Sequence, residues 1–237
     1  MNAIVWLGGL EGPTWFPPVE QALSEPDGLL AAGGDLTPER LLAAYQRGIF
    51  PWYSDGQPIL WWCPDPRAVL FPEELHVSRS LRRHLRTSGH ETRIDTEFAG
   101  VIRGCAAPRS SGAGTWLTRE MIAAYERLHE LGYAHSIETW HEGRLVGGLY
   151  GVALGRVFFG ESMFSLEPNA SKVALVRLVR EARERNIVVI DCQVPNPHVQ
   201  SLGSRSIPRP EFTALLREHC HPHPPGRWST RDGHGAS

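Results

Sequence analysis

The sequence predicts an α+β fold: a small N-terminal domain over residues 1–65, then a larger mixed-sheet domain over residues 66–237 that ends in a loose tail. Three observations carry this. CPDP at Cys63–Pro66 stops regular structure, because each proline keeps the residue before it out of the helical region, and so marks a boundary. Between Ala134 and Phe164, the segments AHSIETW, RLVGGLYGVAL and RVFFGESMF read as strands joined by Glu142-Gly143 and Leu154-Gly155, both hairpin signals. After a helical stretch comes Ile187–Ile190, a β-branched run typical of a buried central strand. The order β-β-β-α-β differs from the strand–helix alternation of a doubly wound sheet.

The elements follow in order. In the first domain Asp27-Gly28 and Gly33-Gly34 give turns. Thr37 as N-cap, Pro38 at the first helical position and Gly48 at the far end bound a short helix, ERLLAAYQR, with Leu41, Leu42 and Tyr45 free to pack. The second domain opens with a strand at Ala68–Phe71, an arginine-rich helix after Ser78 and a second helix from about Thr96. A glycine-rich loop, Gly112–Leu117, presents Trp116. Thr118 caps REMIAAYERLHEL, in which Ile122, Tyr125 and Leu128 recur at helical spacing before Gly132. SLEPNASK leads from the third strand into a helix that runs to about Arg185.

Composition bounds the function. A hydrophobic fraction of 41% and a charged fraction of 21% are ordinary for a soluble globular chain. No apolar run approaches the roughly 18 residues of a membrane span, and the N-terminus lacks the basic start of a signal peptide, so the expectation is a cytoplasmic protein, by default a monomer. Cysteines 63, 105, 192 and 220 are scattered and read as free thiols. His219, Cys220, His221 and His223 form the one metal-like tract, read as loose tail, so no metal is assigned. A net charge of −2 offers no global field for nucleic acid. The positive charge is local: Arg79, Arg82, Arg83 and Arg86 share one helical face, either as a solvated face or as a phosphate contact. The single lysine, Lys172, stands against 23 arginines, in a loop of interest.

Residues 48–67, GIFPWYSDGQPILWWCPDPR, hold three of the eight tryptophans with Phe50, Tyr53 and four prolines. Two readings stand: a domain junction sealed by large side chains, or a platform for an unstacked base. Asp191 and Gln193 lie two apart at the exit of the central strand, on one face if the strand is regular. A carboxylate beside an amide there could position an amine nucleophile, or Asp191 could simply bind the turn before Pro195. Glu161 interrupts an apolar strand, which is costly unless it is paired. It is either a salt-bridge partner or a site residue beside Gly160, which permits close approach, and Met163, an adaptable apolar wall. The chain has no phosphate-binding P-loop, no H-E-x-x-H and no G-x-S-x-G elbow. His135 and His198 are isolated.

PDGLLAAGGDLTPERLLAAYQRGIFPWYS, PILWWCPDPRAVL, GTWLT, HELGYAHSIE, LVGGLYGV, FGESMFS, NASK and DCQV, in this order over residues 16–212, resemble the bacterial leucyl/phenylalanyl-tRNA–protein transferases. The resemblance implies transfer of leucine or phenylalanine, and methionine weakly, from aminoacyl-tRNA to proteins with N-terminal Arg or Lys, giving an N-terminal degradation signal. It implies a GCN5-acetyltransferase-like second domain. The Q/R-x-x-G-x-G loop of coenzyme A users is absent where Ser165–Lys172 run, and no cofactor is implied.

Carried over by position, Asp191, Gln193 and Glu161 would be the catalytic polar set. Trp52 and Trp116 would hold the terminal adenosine and aminoacyl group. Leu149, Phe158, Met163, Leu178 and Ile190 would line the side-chain pocket, with Tyr125 and Gly160 also contacting substrate. Arg79, Arg82, Arg83 and Lys172 would meet the tRNA backbone. Leu149 and Leu178 stand where some relatives carry methionine and phenylalanine. Another acyltransferase on the same core, or an adaptor that binds tRNA ends or N-termini without catalysis, are the competing readings.

Overall fold

The computed structural model describes residues 4–8, 12–107 and 117–221, with Gly226 and Trp228. Trp116 and His223 lie outside the described residues. A four-stranded sheet is built from β1 (Val5–Leu7), β2 (Leu29–Gly33), β3 (Phe50–Pro51) and β4 (Leu60–Trp62), in the order β1-β2-β4-β3. Helix α1 (Pro38–Tyr45) lies between β2 and β3 in the chain. Pro38 opens it, but the Thr37 side chain makes no cap. Asp35 instead accepts the Thr37 N–H at 3.0 Å. Burial alone would raise the Asp35 carboxyl, but the Thr37 and Arg40 contacts hold it below its usual range.

The larger sheet has seven strands: β5 (Arg67–Leu70), β6 (Glu91–Ile94), β7 (Ala134–His141), β8 (Arg144–Leu154), β9 (Val157–Ser165), β10 (Val189–Gln193) and β11 (Arg205–Ile207). Their order is β11-β5-β10-β9-β8-β7-β6, and every pairing is antiparallel except β9 with β10. Among the described residues the other α-helices are α2 (Arg79–Thr87), α3 (Phe98–Ala106), α4 (Arg119–Glu130), α5 (Ala170–Glu184), α6 (Pro197–Gln200) and α7 (Arg209–His219). Ser78 and Thr118 cap α2 and α4 by accepting from Leu81 N and Met121 N. Helix α3 begins two residues later than the sequence suggests. The Thr96 and Glu97 N–H groups are taken by the buried Glu138 carboxylate, at 2.9 and 3.0 Å, instead of opening the helix.

Alternation along the strands sorts side chains onto two faces. Tyr150, Phe159 and Val189 pack with α3, α4, α7 and the residues of α1 and β4, whereas Leu149, Phe158 and Ile190 pack with α5 and Leu81 of α2. Leu41, Tyr45 and Trp61 therefore share one core with the larger sheet. The central strand is covered on both sides, as a β-branched run requires. Among the described residues, no helix is long and apolar enough to cross a membrane. The four cysteines are free thiols.

Three register shifts break the regular ladder of the larger sheet, one between Thr139 and Trp140 where β7 pairs with β8 and two beside the site. On β9, Ser162 pairs with Tyr150 and Gly160 with Gly151, so Glu161 is an extra residue in the ladder. Such a bulge re-aims side chains, and after it Met163 joins the face of Phe158 despite the odd spacing. On β10 the pairing with β5 slips between Asp191 and Gln193, and Gln193 turns to a left-handed φ of 63°.

Candidate active site

Strand β9 pairs with β10 only from Val157 to Phe159, after which the two diverge. Gly160 to Ser165 then line a cavity of about 590 Å³. Its apolar wall comes from Leu149, Met163, Leu175, Leu178, Ile190 and Val199, and its rim from Phe50, Pro51 and Trp52 of the smaller sheet. Glu161, Gln193, Asn196 and His198 supply polarity. This volume falls within the range of small-ligand sites, and such sites are mostly apolar with a few placed polar groups.

Glu161 is the electrostatic centre. It is 8% exposed, and its oxygens accept from Tyr45 Oη at 2.8 Å, Tyr125 Oη at 2.6 Å and Gln193 Nε2 at 2.9 Å. Burial raises its carboxyl to about 7, outweighing the tyrosine hydrogen bonds that pull it down. The two phenols lie 2.6 Å apart, and burial first, then Glu161, pushes both well above the usual tyrosine value, so they stay protonated donors. Tyr150, whose hydroxyl has no partner among the described residues, completes the aromatic surround on the cavity wall.

Asp191 has a different setting from the open strand-end carboxylate suggested by the sequence. It is fully buried and bound by both ends to Arg67, with Nε to Oδ1 at 2.8 Å and Nη2 to Oδ2 at 2.7 Å. The guanidinium is held between the rings of Phe50 and Phe212, 4.8 and 4.7 Å from their centroids. Asp191 Oδ1 also accepts the Gln193 N–H at 2.9 Å. The carboxylate thus fixes the strained backbone of Gln193, which aims the amide at Glu161.

Of the other positions singled out in the sequence, Trp52 is 44% exposed at the rim, packed against Trp62, which donates from Nε1 to the Trp52 carbonyl at 2.6 Å. Trp61 is fully buried in the smaller sheet. Leu149, Gly160, Met163, Leu178 and Ile190 line the cavity, Phe158 is fully buried in the cluster behind that wall, and Tyr125 acts through Glu161. Arg79, Arg83 and Arg86 line a separate open groove of about 880 Å³ with His84 and Asn169. Arg82 is not in its wall and donates to the Val77 carbonyl. Lys172 lies near His198, whose ring burial, and then the Lys172 charge, hold below its usual value.

Sequence reading missed Tyr45, Arg67 and Tyr150 as site residues. Tyr45 and Arg67 reach partners 116 and 124 positions away, a distance that no local pattern encodes. Tyr150 lies next to Leu149 in an apolar strand, and nothing in the local pattern sets its hydroxyl apart.

The leucyl/phenylalanyl-tRNA protein transferase model matches residues 69–217, and the N-terminal domain model of the same family matches residues 34–65. The chain belongs to the leucyl/phenylalanyl-tRNA–protein transferase family. This is a family of aminoacyltransferases. A member from Azoarcus sp. (strain BH72) is 63% identical over 90% of this chain and 92% of its own length. One from Chromobacterium violaceum is 55% identical over 99% of this chain and 100% of its own. Among solved structures, a GCN5-related N-acetyltransferase from Kribbella flavida aligns over 71% of this chain and 60% of its own, with 11% identity and a TM-score of 0.40. The α+β architecture rests on the chain's own sheet order.

Proposed function

We propose that this chain moves leucine or phenylalanine, and methionine weakly, from aminoacyl-tRNA to the α-amino group of proteins beginning with Arg or Lys, making an N-terminal degradation signal. The observation that supports this most is the pairing, in one cavity, of an apolar wall with a single carboxyl poised near neutrality. The wall formed by Leu149, Met163, Leu178 and Ile190 suits an aliphatic or aromatic side chain and disfavours a charged one.

In this reading the donor's terminal adenosine stacks on Trp52, with Trp116 as the second aromatic. Arg79, Arg82 and Arg83, with Lys172 nearer the cavity, meet the backbone phosphates over a small footprint. The ester is already activated, so alignment is the main task, and it can supply roughly 7–11 kcal/mol at its upper range. As the C–N bond forms, the amine gives up a proton. As the C–O bond breaks, the ribose hydroxyl of the tRNA takes one. With Gln193 Nε2 committed to Glu161, its Oε1 is the end that receives the incoming N–H. Asp191 serves as a positioning residue, acting through the Gln193 backbone. Glu161 is the counter-charge for the cationic acceptor and the proton acceptor nearest neutral pH.

The donor range tests the pocket. Transfer from leucyl-, phenylalanyl-, methionyl- and aspartyl-tRNA to an Arg-initiated protein should rank leucine and phenylalanine first, methionine weaker and aspartate at background. Discrimination per methylene is only about 1–3 kcal/mol, so the first two should differ modestly. Equal use of aspartyl-tRNA would remove the pocket assignment.

A further inference from the structure

Away from the cavity, three side chains from separate elements converge. His90 lies just before β6, His141 ends β7, and Glu167 sits in the connection from β9 to α5. Glu167 Oε2 is 3.1 Å from His90 Nε2 and 2.8 Å from His141 Nδ1, and all three ligand atoms lie within 4.8 Å of one another. We propose that these residues form a binding site for a first-row divalent cation, best matched by zinc, with water as fourth ligand.

The geometry carries this. Zinc bonds of about 2.0–2.1 Å in a tetrahedron put neighbouring ligand atoms about 3.3 Å apart, so a small outward movement of either ring opens the site. Two imidazoles and one carboxylate are a donor set that zinc accepts in proteins, and imidazole favours it over calcium or magnesium. The surroundings agree. With Nε2 of His90 given to the ion, Nδ1 carries the ring proton, and His84 Nε2 lies 3.3 Å from it as an acceptor. Such an outer partner is what orients a metal-binding imidazole. Arg144 Nη2 lies 3.5 Å from Glu167 Oε1 as an ion pair, while Oε2 faces the two imidazoles. His90 is 3% exposed, whereas His141 and Glu167 are 31% and 26% exposed, giving an ion a way in.

The consequence is a staple. Glu167 follows Ser165, which lines the cavity, and precedes Asn169, which lines the arginine groove. The Ser165 hydroxyl donates to the Glu167 carbonyl at 2.8 Å. An ion here would fasten the segment between the two surfaces to the end of β7 and the start of β6.

The test is a zinc titration of the full chain after chelator stripping, against a chromophoric competitor, with thermal melts in zinc and in chelator. His221→Ala/His223→Ala serves as the parent, removing the tail's histidines from the count. One equivalent should bind, and zinc should raise the melting temperature. On that background, His141→Ala and Glu167→Gln should each weaken binding at least tenfold and abolish the thermal shift, while melting with the parent in chelator. His84→Ala should weaken binding about tenfold, as outer-shell losses do. Should His90→Ala fold poorly, the two more exposed positions carry the same test. No zinc binding, or equal affinity in parent and variants, would overturn the site.

Discussion

Arg67→Ala is expected to destabilise the folded chain by about 3–5 kcal/mol, because it leaves the Asp191 carboxylate buried without its partner. Asp191→Ala should cost as much, stranding a guanidinium that is 1% exposed. The paired replacement Arg67→Met/Asp191→Leu should recover most of the loss, since the desolvation of two ions disappears with them. Urea denaturation of the four proteins measures these three differences. A cost below about 1 kcal/mol for either single change, the range of exposed pairs, would mean that the ion pair does not hold β5 to β10. The result also bears on catalysis. Loss of transfer in an Asp191 variant speaks to positioning only in the folded fraction, and Asp191→Asn, which keeps the shape, is the variant to compare there.

Glu161→Gln should change the pH dependence of stability. The Glu161 carboxyl stands at about 7 in the folded chain against 4.5 unperturbed, so the folded state holds its proton more tightly than the unfolded one. The stability associated with that proton is fully present below about 4.5 and is lost as pH rises through about 7. A difference of this size is on the order of 3 kcal/mol. Denaturation from pH 5 to 8 should therefore show the wild-type chain losing stability relative to Glu161→Gln, with the variant the more stable at pH 8. Parallel profiles would show that Glu161 is not the group responsible. Transfer should fall about 100-fold or more in the variant if the carboxylate handles the amine's proton.

Much of the architecture could be read in the chain because its signals are local. Glu142-Gly143 adopts φ values of 48° and 74°, the left-handed pair that a tight hairpin needs. Ser78 and Thr118 cap their helices through contacts three residues away. Ile190 and its neighbours do form a central strand, but it starts at Val189 and continues to Gln193. What could not be read is where order breaks. Regular alternation puts Asp191 and Gln193 on one face as an open pair, and the slipped register and left-handed Gln193 replace that pair with a bound carboxylate and an aimed amide. Glu161 drew attention as a costly charge in an apolar strand, yet its partners come from α1, α4 and β10, so its phenol cage is a product of tertiary packing alone. Phe158 shares the face of Leu149 and Ile190 but lies behind the cavity, where β9 is still paired with β10.

The decisive assay for the proposed transfer uses radiolabelled leucine on charged tRNA and two otherwise identical acceptor proteins, one beginning with Arg and one with Ala. Label should appear on the Arg protein, stay at background on the Ala protein, and be lost with Glu161→Gln. No label on the Arg protein, or equal label on both, would contradict the proposal.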